Sequence, residues 1–331
     1  MSANTQALSS GERAAVLERF QQTAVIGAGV IGASWVALFL ANGLKVCVSD
    51  PREGVEAEVR DYVARALATL AQLGAPQAQQ DIGDRLVFES DLERAVAGAD
   101  LVQENGPERL DFKRQLWRRI EQAAPAKALF LSSSSALPAS DQASEMATPE
   151  RMLIGHPFNP PHIIPLVEVV PGKFTSPAAL QQALAFYRAL GKVPLALRKE
   201  VGGFVANRLQ SAIFRECVAL VADGVVTIDE LDDIVTHSVG LRWAVNGPFE
   251  SFHLGGGDGG LRSFVQQFGG GMERRWQSMD RPVAFDEATT KLLFEQADAS
   301  YGRHTREQLE GERDVRQIAI LQALAAQQPR G

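Results

Sequence analysis

The chain has 331 residues, 45% of them hydrophobic and 22% charged, with a formal net charge of −7. That length is too great for one small core and calls for two domains of ordinary soluble composition. The acidic balance works against nucleic acid or an anionic membrane as the main partner, and no apolar run reaches the roughly 18–20 residues that span a bilayer.

In chain order, residues 1–20 read as an N-terminal extension: a polar tail without the apolar segment of a signal peptide, then a short helix at 14–20. An apolar run at 23–27 ends in glycine and leads into a helical pattern that Asn42 and Gly43 stop. A second strand at 45–49 ends on Asp50. Gly27, Gly29 and Gly32 form G-x-G-x-x-G between the first strand and its helix. Each glycine has a job: a tight turn, close approach of backbone to a pyrophosphate, and close packing of helix on strand. The helix start at Val30 and Ile31 turns free N–H groups and a positive dipole end toward phosphates. Asp50, eighteen residues after Gly32, is positioned for ribose hydroxyls. Its charge repels a 2′-phosphate, which favours NAD over NADP, while Arg52 pulls the other way. Together these features are the Rossmann-type dinucleotide signature.

From Val55 to Leu73 apolar positions recur at helical spacing, with a partner helix expected at 77–82. Strands at 85–88, 100–103 and 128–131 then alternate with helices at 92–97 and 112–122. Residues 104–110 form a loop at a strand's carboxyl end, where ligands of open α/β sheets bind. The strand at 128–131 runs into four serines, Ser132, Ser133, Ser134 and Ser135. A helix at 177–190 and a strand at 193–197 precede a boundary at 199–203. Beyond it, 204–221, 229–237, 261–268 and much of 287–327 read as helices, and the glycine clusters at 255–257 and 269–271 read as loops. Alternating βα units followed by helices alone give an α/β fold. A mostly parallel sheet domain spans 21–200 and an all-α domain spans 201–331. Cys47 and Cys217 supply neither a disulfide framework nor a metal-ligand spacing, so no metal and a reducing cytoplasm are expected.

His156, in Gly155-His156-Pro157-Phe158-Asn159-Pro160, is the best general base in the chain. Oxidising a secondary alcohol needs a base for the hydroxyl proton while hydride leaves the carbon, and imidazole titrates near the working pH. Glu168 can fix its tautomer and stabilise the imidazolium. Ser135 and Asn207 can donate to an oxygen where charge develops. Read singly, each has a structural alternative: a loop-closing histidine, a strand-edge glutamate, a helix-start asparagine.

These motifs, with Glu108 and Lys113 and Gly203-Phe204-Val205-Ala206-Asn207-Arg208, resemble the 3-hydroxyacyl-CoA dehydrogenase family over nearly the whole chain. The resemblance implies that His156 is the catalytic base and Glu168, twelve residues on, its partner. It implies that Ser135 binds the substrate oxygen, that Asn207 joins it, and that Glu108 and Lys113 lie near the nicotinamide ribose. Ser133 falls to a nicotinamide or loop contact. NAD as cofactor and a homodimer formed through the helical domain also follow from it. The serine loop departs from the family pattern in lacking a threonine before Ser135.

Family members acting on acyl-CoA carry lysines on the helical hairpin after the second strand. Residues 51–104 hold none here, and five arginines against a larger number of acids. That points to a small free hydroxy acid, as in L-gulonate 3-dehydrogenase and carnitine 3-dehydrogenase. Arg242 is a candidate for a substrate carboxylate and Trp243 for a substrate contact. Trp243, Phe249 and Phe252 could also form the aromatic cage that a trimethylammonium group needs. Asn159-Pro160-Pro161 and Asn207-Arg208-Leu209-Gln210 lean toward the gulonate enzymes, whereas residues 259–269 lean toward the carnitine enzymes. The reading is an NAD-dependent oxidoreductase converting a short polar 3-hydroxy acid to the 3-oxo acid, with L-gulonate narrowly ahead of carnitine. A short-chain 3-hydroxybutyryl-CoA dehydrogenase and a non-catalytic, crystallin-like NAD-binding protein are the rivals.

Overall fold

The computed structural model describes residues 8–327. By contacts the chain divides into two compact units between Asn207 and Arg208. The first unit is built on one sheet of β1 (Gln22–Ile26), β2 (Lys45–Ser49), β3 (Leu86–Phe88), β4 (Leu101–Glu104), β5 (Leu129–Ser132), β6 (Met152–Pro157), β7 (Leu166–Pro171) and β8 (Val193–Ala196). Their spatial order is β3-β2-β1-β4-β5-β6-β7-β8. All neighbours are parallel except β6 and β7. The first six strands follow the doubly wound Rossmann order, which brings the carboxyl ends of β1, β2, β4 and β5 to one edge.

Helices α1 (Ser10–Arg19), α2 (Val30–Ala41), α3 (Val55–Gln72), α4 (Leu92–Val96), α5 (Leu110–Ala123), α6 (Ala139–Gln142) and α7 (Pro177–Ala189) cover the two faces. Alternation along β1 sends Val25 into one core with α2, α3 and α7, and Ala24 and Ile26 into the other with α4 and α5. Helix α2 is apolar on all sides and buried from Gly32 through Ala41, as a helix with no polar face must be. Of the segment read as an N-terminal extension, residues 1–7 lie outside the described residues and residues 8–20 pack on this unit. Leu17 and Phe20 are buried in the first core, and the Phe20 ring packs edge-on against Phe186 at 5.2 Å.

Two expectations fail. The partner helix expected at 77–82 is a run of turns. Gly74, at φ +78°, ends the preceding helix, and the Gln77 N–H donates to the Ala41 carbonyl rather than to a helical neighbour. The second miss lies in the other unit, which takes up α8 (Ala206–Ala222) from Arg208 on and continues through α9 (Ile228–His237), α10 (Val239–Val245), α11 (Pro248–Gly255), α12 (Gly260–Met279), α13 (Glu287–Tyr301) and α14 (Arg306–Ala326). Gly269, Gly270 and Gly271 lie inside α12, not in a loop. A Cβ at Gly270 or Gly271 would meet only the Arg274 side chain, at 3.6 and 3.8 Å. Nothing there requires glycine, and helix formers on both sides outweigh its poor propensity.

Among the described residues of the second unit, only Val218, Ala219, Val221 and Ile318 are buried hydrophobics. Phe214, Leu241, Val245, Phe249, Phe294 and Val315 are each more than half exposed. No helix among the described residues is long and apolar enough to cross a membrane.

Candidate active site

The glycine turn closes β1 onto α2. Gly27 has φ +82°, and a Cβ on it would lie 2.9 Å from the Asn105 backbone. A Cβ on Gly32 would lie 2.0 Å from the Gly27 carbonyl oxygen, so helix and turn meet only through glycine. Gly29 faces open space, and as N-cap of α2 it leaves the helix start at Val30 and Ile31 without a side-chain cap. Bare N–H groups and room for an approaching anion are what a pyrophosphate needs, so these residues fit a dinucleotide. Asp50, just past β2, accepts from Ala28 N at 2.7 Å and from Arg52 N and Nε at 3.0 and 3.1 Å. Burial pushes its carboxyl up, but these hydrogen bonds outweigh it and hold Asp50 ionised below the usual range.

The serine loop leaves β5 beside two acids. Glu104, the last residue of β4, is fully buried. It accepts from Lys113 Nζ at 2.7 and 2.8 Å, from Ser132 Oγ at 2.6 Å and from Gly106 N at 2.6 Å. Lys113 also reaches Glu108 Oε2 at 3.6 Å, so it ties the two acids together with its ammonium buried. Glu108 Oε1 accepts from Ser134 Oγ and from the N–H groups of Ser135 and Ala136, at 2.5, 2.9 and 2.9 Å. Burial pushes the Glu108 carboxyl up, and these bonds with Lys113 bring it below the ordinary value. Glu108 therefore holds the backbone that presents Ser135, which is exposed.

Ser133 does not face outward with a spare hydroxyl. Its Oγ accepts from Trp35 Nε1 at 3.0 Å and Gln103 Nε2 at 2.9 Å, and donates to Asn105 Oδ1 at 2.7 Å. One donor and two acceptor positions are all a hydroxyl offers. Gln103 accepts in turn from the buried Tyr187 hydroxyl at 2.9 Å. That hydroxyl explains the glycine before His156: a Cβ on Gly155 would lie 1.9 Å from it.

His156 and Glu168 are register partners across the antiparallel β6–β7 pair, where directly opposed side chains share one face. The His156 Nδ1–Glu168 Oε2 distance is 2.9 Å, with both residues buried. An ionised carboxylate can only accept, so Nδ1 donates and Nε2 is left as the basic nitrogen. Glu168 Oε1 accepts from Val205 N and Ala206 N, at 2.9 and 3.0 Å, across the start of α8. Burial pushes the Glu168 carboxyl up, and the bonds from His156, Ala206 and Val205 together draw it below the usual range. One carboxylate thus orients the imidazole and holds the backbone just before Asn207, within the first unit. Asn207 approaches the Ser135 carbonyl at a long 3.5 Å.

The rings of Phe204 and Phe158 lie 5.3 and 5.6 Å from the imidazole. Phe204 is fully buried with φ +52°, the one non-glycine residue in the left-handed region among those described. Such strain concentrates at functional sites. Sequence reasoning quoted Phe204 in a motif without giving it a task. It missed Glu104, Gln103, Trp35 and Tyr187, which reach Ser132, Ser133 or one another across long stretches of chain, Glu104 also bonding the nearby Gly106 and Lys113. The loop between His156 and Glu168 is pinned as well. Ser34 on α2 pairs with His162 Nδ1 at 2.8 Å and accepts from its N–H at 2.9 Å, and the buried Lys192 donates to the carbonyls of Pro161 and Ile164.

Arg242 and Trp243 lie exposed on α10 of the second unit. Of the aromatic-cage candidates, Phe252 stacks on Phe264 at 4.8 Å within that unit, whereas Phe249 is exposed.

Comparison with known proteins matches residues 22–201 to the NAD binding domain of 3-hydroxyacyl-CoA dehydrogenase and residues 203–292 to its C-terminal domain. An L-carnitine dehydrogenase from Pseudomonas syringae is 44% identical over 305 residues, covering 91% of this chain and 94% of that one. A 3-hydroxyacyl-CoA dehydrogenase from Gibberella moniliformis is 43% identical over 322 residues, covering 94% and 96%. Among solved structures, 5-formyl-3-hydroxy-2-methylpyridine 4-carboxylic acid 5-dehydrogenase, described as an NAD+-dependent dismutase, aligns with a TM-score of 0.74 and 28% identity over 93% of this chain and 100% of that one. Further relatives at 41–43% identity are also named L-carnitine dehydrogenase, the alternative to the gulonate reading toward which the motifs lean. With both domains matched in order on a sheet of Rossmann topology, the chain belongs to the 3-hydroxyacyl-CoA dehydrogenase family, an NAD-dependent oxidoreductase acting on a CH–OH group.

Proposed function

We propose that the chain oxidises the 3-hydroxyl of L-carnitine, a short 3-hydroxy acid bearing a quaternary ammonium group, to the 3-oxo acid. The observation that carries the chemistry is the buried cross-strand bond from His156 Nδ1 to Glu168. In this reading His156 Nε2 takes the hydroxyl proton as the C3 hydride departs. Glu168 stabilises the imidazolium so formed. Ser135 and Asn207 hold the oxygen on which charge develops. NAD, when bound, accepts the hydride. Gly27, Gly29, Val30, Ile31 and Gly32 would cradle its pyrophosphate and Asp50 its ribose, while Glu108 and Lys113, which shape the serine loop, would lie near its nicotinamide ribose. The stoichiometry is alcohol plus NAD+ to ketone plus NADH and a proton.

The choice of substrate rests on the named relatives and on the lack of lysine across residues 51–104, which leaves a CoA nucleotide little compensation. The 43%-identical relative named for acyl-CoA supports a second reading, 3-hydroxyacyl-CoA oxidation. Steady-state NADH formation with L-carnitine, L-gulonate and 3-hydroxybutyryl-CoA separates the readings. Carnitine should exceed the others in kcat/KM by at least about a hundredfold, a discrimination that modest differences in pocket contacts already supply. A preference for 3-hydroxybutyryl-CoA or gulonate would overturn it. Arg242 and Trp243 are the candidates for the carboxylate and ammonium ends. The apolar side chains exposed on the second unit support a homodimer formed through it. Free Cys47 and Cys217 suit the cytoplasm.

A further inference from the structure

The groove past the end of β2 has a volume of about 730 Å³ and is lined in part by Asp50, Arg52, Glu56, Arg60, Phe88 and Glu89. An arginine just beyond the ribose-binding acid is the residue type that accommodates a 2′-phosphate, and Arg52 stands there. Each of its three guanidinium nitrogens has a partner. Nε meets Asp50 Oδ1 at 3.1 Å, Nη1 meets Glu58 Oε2 at 3.0 Å and Nη2 donates to the Ala28 carbonyl at 3.3 Å. The groove's other guanidinium, Arg60, is paired with Glu56 at 2.8 Å and lies over the Phe88 ring. Glu56 and Glu58 both come from the first turn of α3, where a helix dipole favours acids. A 2′-phosphate arriving here meets three lining carboxylates and two guanidiniums already held.

We infer that Glu58 is a specificity-determining residue, which by engaging Arg52 keeps this chain selective for the dinucleotide without a 2′-phosphate. The inference builds on NAD binding and is independent of the substrate. Asp50 repels the phosphate directly, and Glu58 withholds the cation that would compensate it. Because the Arg52–Glu58 pair is largely exposed, its hold is weak, and removing one charge releases the arginine.

The test measures Kd for NADH and NADPH by ligand fluorescence in the wild type, Glu58→Gln, Arg52→Gln and the double variant. Glu58→Gln should tighten NADPH about threefold to fivefold, with NADH changed less than about twofold. The gain should vanish in the double variant, since the coupling runs through Arg52. An NADPH Kd unchanged in Glu58→Gln, NADPH binding undetectable in both proteins, or a gain that survives loss of Arg52 each overturns the inference. Wild-type protein that fails to bind NADH would instead break the dinucleotide reading. The two failures are therefore distinguishable.

Discussion

Glu168→Gln isolates the orienting role of the carboxylate without emptying its site. The glutamine keeps the shape, but its one carbonyl oxygen is wanted by the Val205 and Ala206 N–H groups at 2.9 and 3.0 Å. Its NH2 group then faces His156 Nδ1, 2.9 Å from the oxygen it replaces. Two donors cannot face each other, so Nδ1 must become the acceptor and the ring proton moves to Nε2, the atom that should receive the alcohol proton. The same acid-to-amide exchange in a serine-protease triad costs about 10⁴ in kcat through the wrong tautomer. We expect a loss of about 10³–10⁴ here, which is about 4–5 kcal/mol of transition-state stabilisation. Glu168→Ala differs in kind, because it leaves a buried imidazole and two N–H groups without acceptors. It should cost roughly 2–4 kcal/mol of stability as well as activity. The assay is kcat from NADH absorbance at saturating substrate and NAD, beside thermal melts of each protein. A Glu168→Gln enzyme within tenfold of wild type at unchanged Tm would refute the tautomer argument.

Gly155→Ala places a methyl 1.9 Å from the Tyr187 hydroxyl. Calorimetry should show a loss of about 1–3 kcal/mol or more, with partial recovery when Tyr187→Phe removes the oxygen. Gly270→Ala in α12 meets no backbone obstacle, and urea unfolding should show a gain of about 0.5–1 kcal/mol. Burial pushes the Lys192 ammonium down to about 7. Between that value and the ordinary lysine range the unfolded chain binds a proton that the folded chain lacks, so stability contributed here rises with pH, by at most about 1.4 kcal/mol per unit. Urea unfolding from pH 7 to 9.5 should therefore rise more steeply in wild type than in Lys192→Met, and parallel slopes would contradict the assignment.

What the chain reveals without coordinates depends on how local the cause is. Gly27, Gly29, Gly32 and Asp50 act within one strand–turn–helix–strand unit, so their arrangement is legible from spacing. The His156–Glu168 pairing is legible only as a twelve-residue interval. The antiparallel register that puts the two opposite each other arises in a β6–β7 hairpin whose loop is held by Ser34 and Lys192 from far away in sequence. Ser133 shows the limit. A serine in a ligand-facing loop reads as a cofactor contact, yet Trp35, Gln103 and Asn105 take up its entire hydrogen-bonding capacity. Phe204 carries no local signal for its positive φ; its ring lies against His156 and the N–H after it bonds Glu168, both far away in sequence. The glycines at 269–271 mislead in the opposite sense, because composition marks a loop where flanking helix formers carry α12 through.

The most direct test of the central claim is the turnover number of His156→Asn with saturating NAD and L-carnitine, in protein whose NADH affinity and Tm match wild type. Loss of the base should lower kcat by about 10²–10⁴, the contribution of a positioned general base. Turnover within a fewfold of wild type would mean that the proton leaves by another route.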